Sequence, residues 1–534
     1  MKTCFKNLTA GLLAGVMILS FAHGQAAAEV TTKKIRPKAP AAKIKYKPRP
    51  KGTLTFTKDI APIIFNNCAS CHRPGEAAPF PLLNYADVKK RAKQIAEVTG
   101  EKYMPPWHAE AGFCEFLDER RITDDQVGML QQWYAEGAVE GNPAKLPPLP
   151  KFPEGWQLGK PDLVVKMSDT YTVPAEGQDI YRYFAIPLNL TEDKWVKAIE
   201  FRPSARSAVH HCLFFLDTTG KAVKMDAADP EPGYNGGGGF GGGGDRGGRG
   251  GGFLGGGGNG DIGGIGGWAV GGNPRALPEG LAWRIPKGAD LVLQTHFHPS
   301  GKAEQEKSVI GFYYADGPPK QTFTGVQLPP IFGAISGIDI PAGEKNYVVK
   351  DSFVLPIDVE AFAVNGHAHQ LAKEMKMVAT LPDGQQKWLM KIGDWDFSWQ
   401  EQYTYKKPFT LPKGTRIDSE ITYDNSADNP KNPTIPPVRV RWGRMSSDEM
   451  GSVTLQVVAA AEKEMPQLQA SLKNHVADTF IDRAIAESKK DSGRGGFLSG
   501  IIKRFDKDGD GKLSDEERVK AREAMQQFRG LGEE

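Results

Sequence analysis

Two cysteines and a histidine in the run Cys68-Ala69-Ser70-Cys71-His72 have the spacing that attaches a haem covalently. Two thiols so placed bond both vinyl groups of a haem from one helical turn, and the adjacent histidine becomes an axial ligand of the iron. The alternatives for such a pair are a redox disulfide and half of a zinc site. Because the surrounding segment has a helical pattern and the chain begins like an exported protein, we expect a covalent haem c.

The second axial ligand of that haem should lie downstream. Met104 precedes two prolines, which predict a rigid extended turn around it. A thioether ligand raises the reduction potential of a haem, which suits electron transfer. We therefore expect Met104 to be the ligand. His108 is its rival, and packing in the core is the alternative role for Met104.

Five histidines fall at three places in a region of predicted β-structure: His210 with His211, His296, and His367 with His369. A His-x-His pair puts both rings on one face of a strand, whereas adjacent histidines need a bend or a strand end to reach one metal. Imidazole suits copper, zinc, iron and nickel, and a thioether such as that of Met450 favours Cu(I). The three groups together predict a copper centre. For any one group, the alternative is a set of hydrogen-bonded core histidines.

A calcium-binding loop is predicted near the C-terminus, where oxygen ligands recur with the spacing of an EF-hand and a glycine stands at the turn. A degenerate loop is the alternative, but every ligand position is filled. A single loop is consistent with a weak extracellular site or with pairing between two chains. The predicted ligands are Asp506, Asp508, Asp510, Lys512 through its carbonyl, Ser514 and Glu517.

The elements that must position these residues suggest a multidomain protein with an α-helical cytochrome c domain, two all-β jelly-roll-like sandwiches and a C-terminal helical EF-hand. Short apolar or alternating runs bounded by glycine, proline, asparagine and aspartate predict the sandwiches. The predicted boundaries are 1–28 for a signal peptide, 29–52 for a basic proline-rich tether, 53–143 for the haem domain, 160–348 and 349–463 for the sandwiches, 233–272 for a glycine-rich insertion, 466–495 for a helical linker and 496–534 for the EF-hand.

The N-terminus predicts export. Lys2 and Lys6 precede an apolar run over 8–22, and small residues over 26–28 offer a cleavage site. A membrane anchor is the alternative, but the run is short for a bilayer and no later stretch is long and apolar enough to span one. We therefore expect a periplasmic or secreted protein without a membrane span. The formal net charge of +3 in 534 residues does not indicate a nucleic-acid partner.

Over about residues 160–463 the sequence resembles the copper type II, ascorbate-dependent monooxygenases, the group of the peptidylglycine and dopamine β-monooxygenases. Four segments in the same order carry the resemblance: Val209-His210-His211-Cys212, Leu293-Gln294-Thr295-His296, His367-Ala368-His369-Gln370-Leu371 and Ser447-Asp448-Glu449-Met450.

The resemblance implies two copper ions with separate tasks. One set of ligands would hold an electron-transfer copper, and the other would hold the copper that binds O₂ and hydroxylates a C–H bond. The first set is His210, His211 and His296, and the second is His367, His369 and Met450. Ascorbate is the reductant of the animal enzymes. The attached haem is expected to replace or relay it, with a redox protein as donor.

Three positions depart from the peptide-amidating branch of that family: Asn365 replaces an arginine that grips a peptide carboxylate, and Ser452 and Thr454 replace an asparagine and a tyrosine. A peptide ending in glycine is therefore not expected as substrate, and an unknown small molecule or another peptide is. The expected activity is that of a copper monooxygenase. The alternative is a haem and copper protein that transfers electrons or holds copper without oxygenation.

Overall fold

The computed structural model describes residues 45–152 except 75 and 77, and then residues 155–235, 262–269, 272–488 and 504–530. Four predicted features lie wholly or largely outside the described residues: the signal peptide, most of the basic tether, most of the glycine-rich insertion, and the residues that lead into the calcium loop. Within the described part of the chain, no helix has both the length and the apolar character needed to cross a bilayer.

Strands make up most of the regular secondary structure in the described residues and form the two β-sandwiches. In the first sandwich, one antiparallel sheet has the order β1-β11-β4-β8, a second has the order β6-β3-β9-β5-β7, and β2 pairs with β10. The strands are β1 Leu163–Lys166, β2 Tyr171–Val173, β3 Ile180–Pro187, β4 Lys194–Arg202, β5 Val209–Asp217, β6 Tyr234–Asn235, β7 Ile262–Ala269, β8 Trp283–Ile285, β9 Asp290–Phe297, β10 Glu304–Glu306 and β11 Val309–Tyr314.

The second sandwich has sheets of order β12-β21-β15-β18 and β14-β19-β16-β17, and β13 pairs with β20. Because β12 pairs with β21, the chain changes sandwich between β11 and β12, on the N-terminal side of the predicted boundary at 349. The strands are β12 Phe323–Leu328, β13 Asp339–Ile340, β14 Tyr347–Val354, β15 Val359–Ala368, β16 Ala372–Thr380, β17 Gln386–Ile392, β18 Gln402–Leu411, β19 Arg416–Tyr423, β20 Val440–Arg441 and β21 Gly451–Ala459.

The alternation of side chains explains how these strands form two cores. Along β5, for example, Val209, Cys212, Phe214 and Leu216 are buried and pack with apolar residues of the facing sheet. Burial of this kind contributes roughly 25 cal/mol per Å² of apolar surface removed from water. The strands are thereby held rigidly, and their ends can position metal ligands.

The described residues contain six α-helices. Asn84 and Thr123 cap α2 and α3 by accepting backbone N–H groups, as these residue types often do at the start of a helix. The helices are α1 Ala61–Asn67, α2 Tyr85–Gly100, α3 Asp124–Ala135, α4 Lys221–Ala228, α5 Met465–Ser488 and α6 Asp515–Gly530.

The prediction of an α-helical cytochrome c domain over 53–143 is wrong. Only α1, α2 and α3 lie in this segment, and the chain between α2 and α3 is irregular. Two prolines after Met104 lack the backbone N–H that a continuing helix needs. Trp107 and Phe116 instead enter the core of the second sandwich, where Phe116 forms a β-bridge with Tyr405.

Only part of the predicted helical EF-hand lies within the described residues. α6 follows the calcium loop, whereas residues 489–503, which precede the loop, lie outside the described part of the chain. Leu513 and Ala521 pack against Ile481 and Ala484 of α5, so α5 supplies the apolar surface that α6 needs.

Candidate metal centre

A β-bulge brings the adjacent histidines of β5 to one site. In the pairing of β5 with β9, Val209 lies opposite Phe297 and His211 lies opposite His296, so that His210 is an extra residue without a partner. A bulge bends its strand and redirects a side chain. His210 and His211 therefore both reach His296, although a regular strand would direct them to opposite faces.

The three rings converge through their Nδ1 atoms. Nδ1 of His211 lies 3.1 Å from Nδ1 of His210 and 3.5 Å from Nδ1 of His296. One ligand atom from each residue lies within 4.8 Å of the others. The His211 nitrogen can share one proton with only one of its neighbours, whereas a metal ion can accept a lone pair from all three. The set therefore fits a metal ion such as copper or zinc.

Asp179 contacts the nitrogen of His296 that faces away from the other two histidines. Its carboxylate lies 3.1 Å from Nε2 of His296, off the line of an ordinary hydrogen bond, and 2.8 Å from Nδ1 of His298. Burial acts to raise the pKa of Asp179, but the contacts with His296, His298 and Ser446 together hold it below its usual value. Tyr181 stacks on the His296 ring at 4.2 Å. His298, which has a largely exposed side chain, thus supports the site from outside.

His367 and His369 form the second group, at the end of β15. Nδ1 of His367 lies 2.6 Å from the side-chain oxygen of Gln400, and Nδ1 of His369 lies 3.1 Å from the Asp448 carbonyl oxygen. Each Nδ1 is therefore the protonated nitrogen, and each Nε2 keeps its lone pair. Partners of this kind fix the tautomer and orientation of histidines that bind metals.

The register of the strands places Met450 beside His369. β15 pairs with β21 so that Ala368 lies opposite Gly451. The residues that directly adjoin this last pair are His369 and Met450, so their backbones lie close to each other. The Met450 carbonyl accepts a hydrogen bond of 3.0 Å from the Tyr423 hydroxyl, which fixes the backbone at this point. Met450 is thus near enough to belong to the second group.

The two groups of histidines face each other across the sandwiches. The ring centroids of His211 and His367 are 6.4 Å apart. Phe397 stacks on His210 at 4.3 Å and lies 5.6 Å from the His369 ring. The five histidines therefore form one cluster, with an aromatic ring between the two groups on one side.

Burial favours the neutral form of four of these imidazoles, those of His210, His211, His367 and His369. It lowers the pKa of His210 to about 3, of His367 to about 4 and of His369 to about 3, and it lowers the pKa of His211 strongly as well. Neighbouring histidines lower the pKa values further, because a positive charge on one ring repels a proton on the next. Neutral imidazole is the form that binds a metal ion.

The metal-free protein is expected to lose stability as the pH falls below about 6.5, the pKa of an unfolded histidine. Between that pH and the lowered pKa values of the folded state, the unfolded chain binds more protons. Each such histidine then lowers the free energy of unfolding by about 1 kcal/mol per pH unit. Denaturant unfolding of the metal-free protein at several pH values measures this slope. His367→Gln should make it shallower, and a slope equal to that of the parent protein would contradict the explanation.

The predicted haem ligands lie at the end of α1. Cys68 packs against the core of the three helices, and burial raises the pKa of its thiol to about 12. Nδ1 of His72 lies 3.1 Å from the Phe80 carbonyl oxygen, so its N–H donates there and Nε2 is left for a ligand. With Cys71 close by in sequence, this arrangement fits a covalent haem.

The two candidates for the other axial position lie in the irregular segment after α2. Met104 is partly buried, and its N–H donates to the Val98 carbonyl oxygen at 3.1 Å. His108 lies close to Asp394 and Asp396 of the second sandwich. Met104 as the second haem ligand stays a prediction.

The carboxylates of the predicted calcium loop lie close together. Asp506, Asp508 and Asp510 each offer an oxygen within 4.8 Å of the other two. Glu517, at the start of α6, accepts the N–H groups of Lys507 at 2.7 Å and of Ser514 at 2.9 Å. The predicted oxygen ligands therefore fit a calcium ion.

Several residues around the histidines have no sequence motif: Asp179, Tyr181, Phe397 and Gln400. Asp179 precedes β3, and the other sandwich supplies Phe397 and Gln400 from the segment between β17 and β18. Only the three-dimensional pairing of strands brings them to the site. A carboxylate that contacts a metal-binding histidine is a common feature of metal sites. In the sequence, however, nothing distinguishes Asp179 from other acidic residues.

No family model matches this chain, and no curated protein does either. Similar solved structures include two of a peptide-N4-(N-acetyl-β-D-glucosaminyl) asparagine amidase, one of them PNGase F from Flavobacterium meningosepticum, with 11% identity, TM-scores of 0.24 and 0.25, and coverage of 56% of this chain and 96% of theirs. Another is the VP2 subviral particle of infectious bursal disease virus, at 7% identity and TM-score 0.16, covering 56% of this chain and 72% of that one. These similarities are too slight to bear on fold or activity.

Proposed function

We propose that this chain is an exported copper monooxygenase that receives electrons through a covalently attached haem. The observation that carries the proposal is that two groups of largely buried histidines lie side by side, with the ring centroids of His211 and His367 6.4 Å apart. Copper bound there would supply one-electron chemistry and oxygen activation, so that O₂, two electrons and two protons convert a C–H bond into C–OH and water.

The residues divide these tasks by their surroundings. The group of His210, His211 and His296 would hold the copper that receives electrons, with Asp179 orienting His296. The group of His367, His369 and Met450 would hold the copper that meets O₂. Gln400 and Asp448 hold the tautomers of its two histidines, which leaves both Nε2 lone pairs available to the metal.

The substrate is expected to be uncharged near its reacting carbon. Asn365 lies opposite Thr454 in the pairing of β15 with β21, and His367 lies opposite Ser452. The three positions that depart from the peptide-amidating branch therefore lie together beside one copper ligand. They supply polar groups without a positive charge, so a substrate carboxylate would lack the ionic partner it has in that branch.

Calcium completes the proposed cofactor set as a structural ion. Bound to the loop at Asp506, it would fix the start of α6, from which Arg518 pairs with Asp482 of α5. α5 in turn contacts the second sandwich, where His475 lies 2.9 Å from Asp351. The ion would thereby anchor the C-terminal helices to the rest of the protein.

Carbon monoxide binding to the copper-loaded, fully reduced protein tests the oxygenase proposal. One open Cu(I) position predicts about one CO for every two coppers in the infrared spectrum, because a catalytic site keeps a position free for its substrate. Met450→Ala should abolish the signal. Met445→Ala, which alters another methionine of the same loop, should retain it. Two coppers without bound CO would instead favour an electron-transfer or copper-holding protein.

A further inference from the structure

A cleft separates the loop that follows α1, which carries Cys71 and Glu76 and is called the attachment loop below, from the first sandwich. Its lining includes Cys71 and Glu76 on one side and Phe201, Arg206 and Trp268 on the other. We propose that this cleft receives the exposed edge of the attached haem and that Trp268 provides the tunnelling path that couples this edge to the histidines of β5. The inference rests on the proposed function and specifies its route of electron entry.

The two cysteines have different surroundings, which orients the haem. Cys68 is packed against the apolar core of the helices, whereas Cys71 faces the cleft. A porphyrin bonded to both sulfurs must have the edge between them running from the core to the cleft. Electrons leave a haem most readily at an edge that another redox partner can approach. The geometry at Cys71 therefore directs this edge at the first sandwich.

Ion pairs hold the attachment loop against that sandwich. Arg206 lies 3.3 Å from the Glu76 carboxylate, and Arg73 lies 2.8 Å from it. All three side chains are largely screened from solvent, and the Arg73 guanidinium also lies over the Phe152 ring. Arg206 belongs to the segment that leads directly into β5. The same contact thus fixes both the attachment loop and the strand that carries His210 and His211.

Trp268 joins the cleft to a copper ligand by a short path. It lies on β7, where it is opposite Cys212, and its neighbour Ala269 is opposite His211. Its indole packs on Phe201 with ring centroids 5.4 Å apart. The path from this ring to His211 therefore runs along the backbone from Trp268 to Ala269 and then across to the neighbouring strand.

The step moves one electron and makes or breaks no covalent bond. Ferrous haem becomes ferric, and Cu(II) bound by His210, His211 and His296 becomes Cu(I). An external one-electron reductant restores the ferrous haem. Two such transfers supply the electrons that one O₂ requires.

Photochemical reduction of the haem in the anaerobic, Cu(II)-loaded full-length protein tests this route. The haem absorbance reports its reoxidation, and the Cu(II) resonance reports reduction of copper, so no turnover is involved. In Trp268→Phe, the rate of internal transfer should fall several-fold, because the smaller ring shortens the aromatic contact with Phe201 and leaves a longer gap to cross. Trp268→Leu, which removes the aromatic ring altogether, should slow it further, because fewer π orbitals then couple the haem edge to His211. Trp283→Phe, a partly buried tryptophan of the same sandwich outside the cleft lining, should leave it unchanged.

A second variant tests the docking contact independently. Arg206→Gln should slow internal transfer, whereas Arg284→Gln, which removes a more exposed ion pair with Asp193, should not. Normal transfer rates in both Trp268→Phe and Arg206→Gln would overturn the inference. Haem and copper contents are measured first on the same protein. If either cofactor does not bind, the proposed function itself fails, and if both bind while the variants transfer normally, only the route fails.

Discussion

Asp179→Asn is expected to weaken copper binding at the group of His210, His211 and His296 by about 10- to 100-fold, the effect usual when a carboxylate behind a metal-binding histidine is removed. The Asp179 carboxylate lies 3.1 Å from Nε2 of His296 and carries a negative charge, since its pKa is held below the usual value. That charge makes the opposite nitrogen of the His296 ring a stronger donor. An amide keeps the shape of the side chain but loses the charge.

Competition with a Cu(I) chelator measures this affinity in the reduced protein. Asp193→Asn is the matched control, because Asp193 lies in the same sandwich and pairs with Arg284 at the surface. His298→Gln separates the charge of Asp179 from its position, since His298 donates to the same carboxylate from an exposed site. We expect this variant to have a smaller effect than Asp179→Asn. An affinity in Asp179→Asn equal to that of the control would exclude a role for the carboxylate in copper binding.

The sequence predicted the β-sandwiches and the grouping of the histidines because both depend on local patterns. Alternation of apolar residues is a property of each strand, and the His-x-His spacing of His367 and His369 places two rings on one face without reference to the rest of the chain. The requirement for a bend at His210 and His211 followed from the same rule. The bulge opposite β9 meets that requirement.

Contacts between segments that are distant in the sequence could not be predicted from these local patterns. The helical pattern of residues 53–143 predicted an α-helical domain, but this prediction also covered a segment that packs on the second sandwich. Trp107 packs on Tyr403, nearly three hundred positions away in the sequence, at 5.1 Å. A buried aromatic residue has the same appearance in the sequence whether it packs on its own helix or on a remote sheet. The proximity of His211 to His367 is hidden from the sequence for the same reason.

A largely buried ion pair joins the segment between α2 and α3 to the second histidine group. Arg120 donates a hydrogen bond to the carboxylate of Glu401, and the two side chains are only 12% and 11% exposed. Arg120 also donates to the Pro106 carbonyl oxygen at 3.2 Å. Burial raises the pKa of Glu401, whereas the charge of Arg120 lowers it. Glu401 follows Gln400, which orients His367, so the pair supports both the packing of the segment and the second histidine group.

Arg120→Met is expected to lower the free energy of unfolding by about 3 kcal/mol or more, because it leaves the Glu401 carboxylate buried without its partner. Denaturant unfolding of the metal-free protein measures the change. Arg121→Met is the neighbouring control: its ion pair with Glu119 is more exposed, and pairs of that kind contribute about 1 kcal/mol or less. The double variant Arg120→Met with Glu401→Leu should recover much of the loss, since no unpaired charge then remains in the interior. If Arg120→Met unfolds at the same denaturant concentration as Arg121→Met, the pair does not hold the segment in place, and the packing of Trp107 and Phe116 alone must do so.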